Sequence, residues 1–482
     1  MTINLLDYLE QAAARHPDKT AFTEMEESLS FAALHDKARG IGAAIAARVE
    51  GTNRPVVVLT KHLLADVPVM LGVLYAGCFY VPIDGEAPAE FIETRIASIS
   101  PALVIDPACF DVTENKAAEN SKISLPYKQV LDTDPAYAIF TSGTTGTPKA
   151  ALMSHRSVMN LAEWLCDTFS LDENTVFGNQ SPFYFDASVV DMYCTLKAAA
   201  CTHILPRRLF FSPLKLMRYL EERAVNTLMW ATAAIKLVAN TKVLDKFVPA
   251  HLKTILFGGE NMTGKYLNAW RKALPNALFA NLYGPTEATV MCSYYIVDRD
   301  FADDESVPIG RPCRNTGLLL TDDGEVAVQG ISVGLGYYGD TARTADVFVQ
   351  NPTHSLYRDI VYLTGDLARA NENGDLVYIG RADSQVKHQG TRIELGEIEA
   401  IACGLPGVAL ACCAYDKERS RIMLFFQGES ETEHVAEKLG GMLPRYMFPE
   451  MILRVAEMPA LPNGKIDRKG LVNAYHEANP QP

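Results

Sequence analysis

Short apolar runs with strand periodicity alternate with helical patterns from the N-terminus to about residue 290. This alternation restricts the chain to layered α/β architecture built on parallel sheets. Residues 5–15 and 30–49 carry apolar side chains at helical spacing, the second stretch opening at Leu29-Ser-Phe-Ala-Ala-Leu34. Val56-Val-Val-Leu59 reads as a short buried strand, Val69–Ala76 as a helix ended by Gly77, and Phe79-Tyr-Val-Pro82 as the next strand. From about residue 305 the texture changes to short strands with Gly/Asp turns, such as Thr321-Asp-Asp-Gly-Glu325 and Asn371-Glu-Asn-Gly-Asp375. The remainder mixes strand (Ile422–Phe426) with helix (Glu433–Leu443). At 482 residues the chain is too long for one ordinary core. Asp383-Ser384 is the best hinge candidate, giving domains of 1–383 and 384–482.

Composition narrows the function classes. The longest apolar stretches fall well short of a bilayer span, and the N-terminus lacks a basic region, so neither a membrane partner nor a secretory signal is expected. Ten scattered cysteines without Cys-x-x-Cys, and ten histidines without ligand spacing, read as thiols and imidazoles of a cytoplasmic protein. A formal charge of −14 with no basic stripe argues against nucleic acid as the main partner.

The stretch richest in chemistry is Tyr137-Ala-Ile-Phe-Thr-Ser-Gly-Thr-Thr-Gly-Thr-Pro-Lys149, an apolar strand opening into glycines, small hydroxyl residues and a lysine. Such a loop can aim backbone N–H groups, hydroxyls and an ammonium at a polyphosphate, and a helix from about Arg156 can add its positive end. The same residue types also make ordinary turns. The spacing is not that of the Walker loop, which disfavours a P-loop NTPase. Four further segments join it: Asn281-Leu-Tyr-Gly-Pro-Thr-Glu287, Tyr362-Leu-Thr-Gly-Asp-Leu367, the charged run Gly380–Glu399, and Asn463-Gly-Lys-Ile-Asp-Arg468. Singly each also reads as a turn, a surface ion pair or a solvated lysine.

In this order and spacing the segments resemble the adenylate-forming superfamily, specifically freestanding amino-acid adenylation domains of the nonribosomal-peptide-synthetase type. Leu29–Leu34, Leu74–Asp84, Phe185-Asp-Ala-Ser188, Gly324–Gly330 and Leu443–Pro449 fit further family motifs. Thr321–Glu325, Gly334-Leu-Gly-Tyr337 and Thr344-Ala-Asp-Val-Phe348 look most like the D-alanine–carrier-protein ligases. One departure is Ala150, where the family has glycine. The implied fold is a large N-terminal domain of layered α/β sheets plus a distorted β-barrel, with a small mobile C-terminal α+β domain. The implied chemistry is ATP- and Mg²⁺-dependent formation of aminoacyl-AMP, then transfer to the phosphopantetheine thiol of a carrier protein. No carrier module follows Arg468 and no condensation segment precedes Met1, so that carrier is expected in trans. An acyl- or aryl-CoA ligase and a catalytically silent relative are the alternatives. Asp186 speaks against the first; Lys465, Glu287 and Asp366 speak against the second.

Carried over by the resemblance, Lys465 bridges the substrate carboxylate and α-phosphate. Thr141, Ser142, Gly143, Thr144, Thr145, Gly146 and Lys149 hold the outer phosphates. Glu287 ligates Mg²⁺, Thr286 contacts the α-phosphate, and Leu282, Gly284 and Pro285 complete that turn. Asn281 and Tyr283 face adenine, with Gly259 and Glu260 opposite. Asp366 takes the ribose hydroxyls, helped by Arg381 and with Tyr378 close by. Asp383 is the hinge about which Lys465 withdraws and the Gln389-Gly390 region approaches between half-reactions. Asp186 pairs with the substrate ammonium, and Ala187, Val190, Trp230, Leu256, Gly258, Leu282, Val290 and Met291 line the side-chain pocket. That lining is apolar apart from the Trp230 indole, which excludes Asp, Glu, Lys, Arg and Asn, because an unsatisfied buried polar group costs about 1–3 kcal/mol. Trp230 is expected to fill volume and Gly258 to open some. Small to medium aliphatic amino acids fit best. D-Alanine is not favoured, since its ligases carry cysteine where this chain has Gly258.

Overall fold

Parallel strands need crossover helices, and the alternating N-terminal sequence supplies them. The computed structural model describes residues 4–110, 125–141, 148–382, 385–388, 390–459 and 466–479. In its nine-stranded sheet six neighbours run parallel in the order Leu278–Tyr283, Thr254–Gly258, Thr227–Ala231, Val176–Asn179, Cys201–Ile204 and Thr20–Glu24. Antiparallel strands finish both edges: Ser293–Ile296 and Arg311–Pro312 on one side, Glu27–Ser30 on the other. A six-stranded sheet, ordered Gly336–Tyr337, Lys149–Ser154, Pro135–Thr141, Phe79–Asp84, Pro55–Thr60 and Leu103–Ile105, has a parallel centre. After residue 310 the sheet is antiparallel and five-stranded: Thr316–Leu320, Glu325–Gly330, Ile360–Ala370 and Phe348–Gln350, with Leu376–Arg381 paired to Ile360–Ala370. This is the position of the barrel expected from the resemblance.

Local chemistry sets many boundaries. Ser30 caps Phe31–Ala46, its side chain accepting from Ala33 N. The turn at Asn371 closes because its Oδ1 accepts from Asn373 N and Asp375 N, with Gly374 at φ +81° in the left-handed region. The helix expected from Arg156 exists as His155–Phe169, capped by Ser154. The glycine-rich run before it lies largely outside the described residues. The six-residue strand Lys149–Ser154 intervenes, and the first helical N–H groups donate to Asp134 O and Asp132 O. At about 3.3 Å per residue that strand carries the helix start some 20 Å along the chain.

Two compact units divide the chain. The first comprises Met1–Gly85, Ile99–Phe140 and Ala150–Ala382; the second comprises Glu86–Ser98, Thr141–Lys149 and Asp383–Pro482. In the second, Val408–Asp416, Arg421–Gly428 and Met451–Arg454 form a three-stranded sheet with the helices Leu395–Cys403, Thr432–Gly440 and Arg468–Ala478. Its core takes in Phe91, and Arg95 of the same helical segment makes a buried 2.9 Å ion pair with Glu397. All ten cysteines are free thiols. Among the described residues no helix is long and apolar enough to cross a membrane.

One buried histidine ties the first helix to the sheet layer. Leu5 N donates to His155 Nδ1 at 3.3 Å, and burial lowers the His155 pKa to about 4. A folded pKa below the unfolded value means stability present above pH ~6.5 and lost as pH falls toward 4. Unfolding free energy is expected to drop by about 3 kcal/mol over that range from this residue. Chemical denaturation at several pH values should show a shallower fall for His155→Asn, whose side-chain oxygen can accept from Leu5 N without titrating.

Candidate active site

Parallel sheets gather loops at their carboxyl edge, where ligands bind in open α/β folds. Here that edge carries Gly258-Gly259-Glu260, Tyr283-Gly284-Pro285-Thr286-Glu287 and the Pro182–Asp186 turn. Side chains crosslink the loops. Gln180 Oε1 accepts from Ala231 N at 3.2 Å, and Thr232 Oγ1 donates to Gly258 O at 3.1 Å. Lys236 pairs with Glu260 at 3.4 Å.

The segment Gly284–Met291 is a tight loop under backbone strain. Thr289 and Val290 hold φ +54° and +67°, values that β-branched residues rarely adopt. Thr289 Oγ1 anchors the loop on Ser332 O at 2.6 Å. A Cβ on Gly284 would lie 2.4 Å from Val290 O, so only glycine fits. The loop turns Glu287 inward, fully buried, where the Tyr337 hydroxyl donates to its Oε1 at 2.8 Å. Tyr337 itself pairs with Ala151 on the strand that leaves the phosphate loop. Among the described residues no three His, Cys, Asp or Glu side chains gather to hold a metal alone. A lone carboxylate fits a Mg²⁺ ion that keeps water and phosphate oxygens as its other ligands, and does not fit a resident all-protein centre.

A second carboxylate, Asp366, lies buried where two sheets meet. Tyr283, the last residue of its strand, donates its hydroxyl to Asp366 Oδ2 at 2.8 Å. Arg381, directly across the hairpin from Asp366, donates to Oδ1 at 2.6 Å. Burial and the Asp366 charge push the Tyr283 phenol well up, so it remains a proton donor. Asn281 lies one layer back, its amide donating to Pro308 O at 2.8 Å. Pro308 in turn lines an open groove of about 560 Å³ with Tyr378, Ile379, Arg299 and Arg369.

The pocket residues separate by face. Val190, Leu256, Leu282, Val290 and Met291 share one apolar cluster. Ala187 and Asp186 are half-buried at the entry to the Ser188–Ala198 helix, which has no side-chain cap. Trp230 is not among them. Side chains alternate along a strand, and Trp230 projects into the opposite core with Phe257 and Phe279. There its indole donates to Gly178 O at 2.7 Å and its ring meets Phe210 at 5.4 Å. The neighbour on the site's face is Met229, opposite Leu256 in register. Gly258 is also corrected: a Cβ there would lie 2.4 Å from Leu282 O, so backbone occupies the room it was expected to open.

Thr141 and Lys149 end the two strands flanking the phosphate loop, and Thr141 Oγ1 reaches Lys149 O at 3.5 Å. Ser142, Gly143, Thr144, Thr145, Gly146, Asp383, Gln389 and Lys465 lie outside the described residues. Met229, Tyr337, Gln180 and Thr232 were not singled out as site residues from sequence. Tyr337 did stand in the quoted Gly334-Leu-Gly-Tyr run; Met229 differs from the expected Trp230 by the single residue that reverses a strand's faces.

A family model described as AMP-binding enzyme matches residues 9–338. D-alanine--D-alanyl carrier protein ligase of Bacillus cytotoxicus is 30% identical, over 98% of this chain and 99% of its own. Surfactin synthase subunit 1 of Bacillus subtilis is also 30% identical over 97% of this chain, which spans only 14% of that synthase. A solved structure of an NRPS protein containing adenylation and PCP domains matches the fold with a TM-score of 0.85 at 24% identity, over 98% of this chain and 84% of that one.

Arg381→Met leaves Asp366 buried without its cation and is expected to destabilise the fold by about 3–5 kcal/mol. Urea unfolding should show the double variant Asp366→Asn/Arg381→Met nearer to wild type than Arg381→Met alone.

Proposed function

Because the chain belongs to the AMP-binding enzyme family, we propose that it activates a small-to-medium aliphatic amino acid as aminoacyl-AMP and passes it to a carrier protein. The observation that carries this reading is one half-buried carboxylate, Asp186, two residues before the Ser188–Ala198 helix, whose Val190 shares an apolar cluster with Met229, Leu256, Leu282, Val290 and Met291. A carboxylate there suits an α-ammonium, while the cluster suits a hydrocarbon side chain. A relative matched over nearly its whole length is itself named for D-alanine and a carrier protein.

In the first half-reaction an oxygen of the amino-acid carboxylate bonds to the α-phosphorus of ATP, and the bond to pyrophosphate breaks. In the second, a phosphopantetheine thiol loses its proton and attacks the acyl carbon, and AMP departs. Charge, more than covalent help, sets the barrier. Carboxylate and phosphates repel, so a cation between them is worth a great deal: about 4 kcal/mol for unit charges ~4 Å apart at an effective dielectric near 20. Lys465 is the proposed cation, carried by a segment that turns about Asp383 between the half-reactions. Glu287 would hold Mg²⁺, which when bound neutralises the phosphates. Asp366, buried and accepting from Tyr283 and Arg381, is proposed for the ribose hydroxyls. Thr286 and the Thr141–Lys149 loop are proposed for the phosphates, and Asn281 and Tyr283, with Gly259 and Glu260 opposite and Tyr378 close by, for the adenine nucleoside.

Met229 in place of Trp230 alters the expected pocket wall. A thioether chain is flexible and adapts to neighbouring shapes, so related aliphatic side chains should compete. One methylene is worth about 10- to 200-fold in such pockets.

Amino-acid-dependent ATP–pyrophosphate exchange tests the proposal across a panel of L and D aliphatic amino acids. Exchange with none of them overturns it. Lys465→Ala should reduce exchange about a thousandfold while ATP still binds; an unchanged rate refutes that lysine's role. Met229→Ala should shift preference toward longer side chains, whereas Trp230→Phe should leave the ranking as it was and lower the melting temperature instead. Loading of free CoA but not of a holo carrier protein would reassign the acceptor.

A further inference from the structure

The strand Val176–Asn179 and the helix Ser188–Ala198 are joined by residues 180–187, and that connection carries Asp186 and Ala187. One polar pair closes its base. Asn179, the last residue of the strand, donates its amide to Asp191 Oδ2 at 2.7 Å, and each residue is only 1% exposed. Asn179 is itself held in the sheet, its carbonyl accepting from Leu205 N at 3.0 Å. The helix has no side-chain cap at its start, and the bond to Asp191 ties its first turn to the sheet instead.

The connection between the two partners is short and closely bonded. Gln180 Oε1 accepts from Ala231 N, and the Phe183 ring lies 5.3 Å from that of the buried His62. Phe185 N donates to Pro182 O at 2.9 Å, and Ser188 Oγ to Phe185 O at 2.7 Å. With its ends fixed to each other, so short a turn has few conformations left. Val190, a member of the apolar cluster, immediately precedes Asp191.

The chemistry of the pair suits this task. Asp191 Oδ1 and Asn179 Oδ1 are both buried without a hydrogen-bond partner among the described residues. An amide beside an ionised carboxylate leaves acceptors over in this way, whereas a carboxylic acid brings a second donor. Burial pushes Asp191 up to about 7, so the neutral acid is populated near neutral pH. A neutral pair holds the turn without adding a second negative charge to the stretch that carries Asp186.

We propose that Asn179 and Asp191 are positioning residues for the amino-acid site, their buried bond setting the turn that presents Asp186, Ala187 and Val190. This rests on the reading of Asp186 given under the proposed function. Neither side chain takes part in bond making. Loss of the pair falls on amino-acid binding and on the choice between side chains, and leaves ATP binding alone.

Amino-acid-dependent pyrophosphate exchange tests this, with thermal melting to check folding. Asn179→Leu/Asp191→Leu removes the bond and leaves neither partner's polar group orphaned, so it is expected to fold. Its KM for the amino acid should rise roughly tenfold, with KM for ATP unchanged and kcat within about threefold. Discrimination between alanine and 2-aminobutyrate should fall several-fold, because the wall at Val190 is no longer fixed. Asp191→Asn keeps the size and supplies a donor without charge, and should stay within about twofold of wild type in every constant. A lower melting temperature with both KM values unchanged overturns the proposal, and so do equal rises in both. Asp186→Asn separates the two readings. An unchanged amino-acid KM in that variant overturns the role of Asp186 and this proposal with it. A raised KM there, beside a wild-type KM in the double variant, overturns the role of the pair alone. Should the double variant fail to fold, Asn179→Ala is read by the same constants, and an unchanged amino-acid KM overturns the proposal.

Discussion

A carboxylate taken out of water must be neutralised and hydrogen-bonded, and Asp366 meets that demand from two sheets at once. Tyr283 ends a parallel strand of the nine-stranded sheet; Arg381 and Asp366 face each other in the antiparallel sheet. The ion pair is 2.6 Å long and almost wholly shielded, with side-chain exposures of 6% and 2%. The hydroxyl and the guanidinium together fix where the two sheets meet. One loop of the carboxyl edge follows from that seam: the Gly284–Met291 loop leaves Tyr283 directly, and Glu287 hangs from it.

The same edge shows how strain and burial combine. Thr289 and Val290 sit in the left-handed region, and Gly284 has no space for a side chain. The Thr289 hydroxyl bond to Ser332 O and the Tyr337 bond to Glu287 hold the loop against relaxation. An inward-turned carboxylate must be compensated by hydrogen bonds or positive charge, a demand that a surface glutamate escapes. The apolar cluster beside it supplies low polarity, and with it stronger electrostatics for whatever charge enters.

Element type was legible in the sequence because it depends on local periodicity. The helices Leu6–Arg15 and Phe31–Ala46, the strand Phe79–Asp84 and the turns at Gly324 and Gly374 all lie where apolar spacing and glycine placed them. The ordered motifs carried the family. The start of the helix after the phosphate loop was legible to within a residue, but its orientation was not. That depends on Asp132 and Asp134, whose carbonyls receive its first N–H groups.

What the chain alone determined is a parallel α/β core, a phosphate-type loop, and a set of carboxylates, hydroxyls and apolar residues in a recognisable order. Tertiary structure decided which of them share a face. Trp230 and Met229 are neighbours in sequence and lie on opposite sides of the sheet, one donating to Gly178 O in a second core and the other beside Leu256. Gly258 looked like room and is filled by a carbonyl from the adjacent strand. Strand alternation is a local property, but the direction in which it points is fixed only when register and packing assign each face to a core.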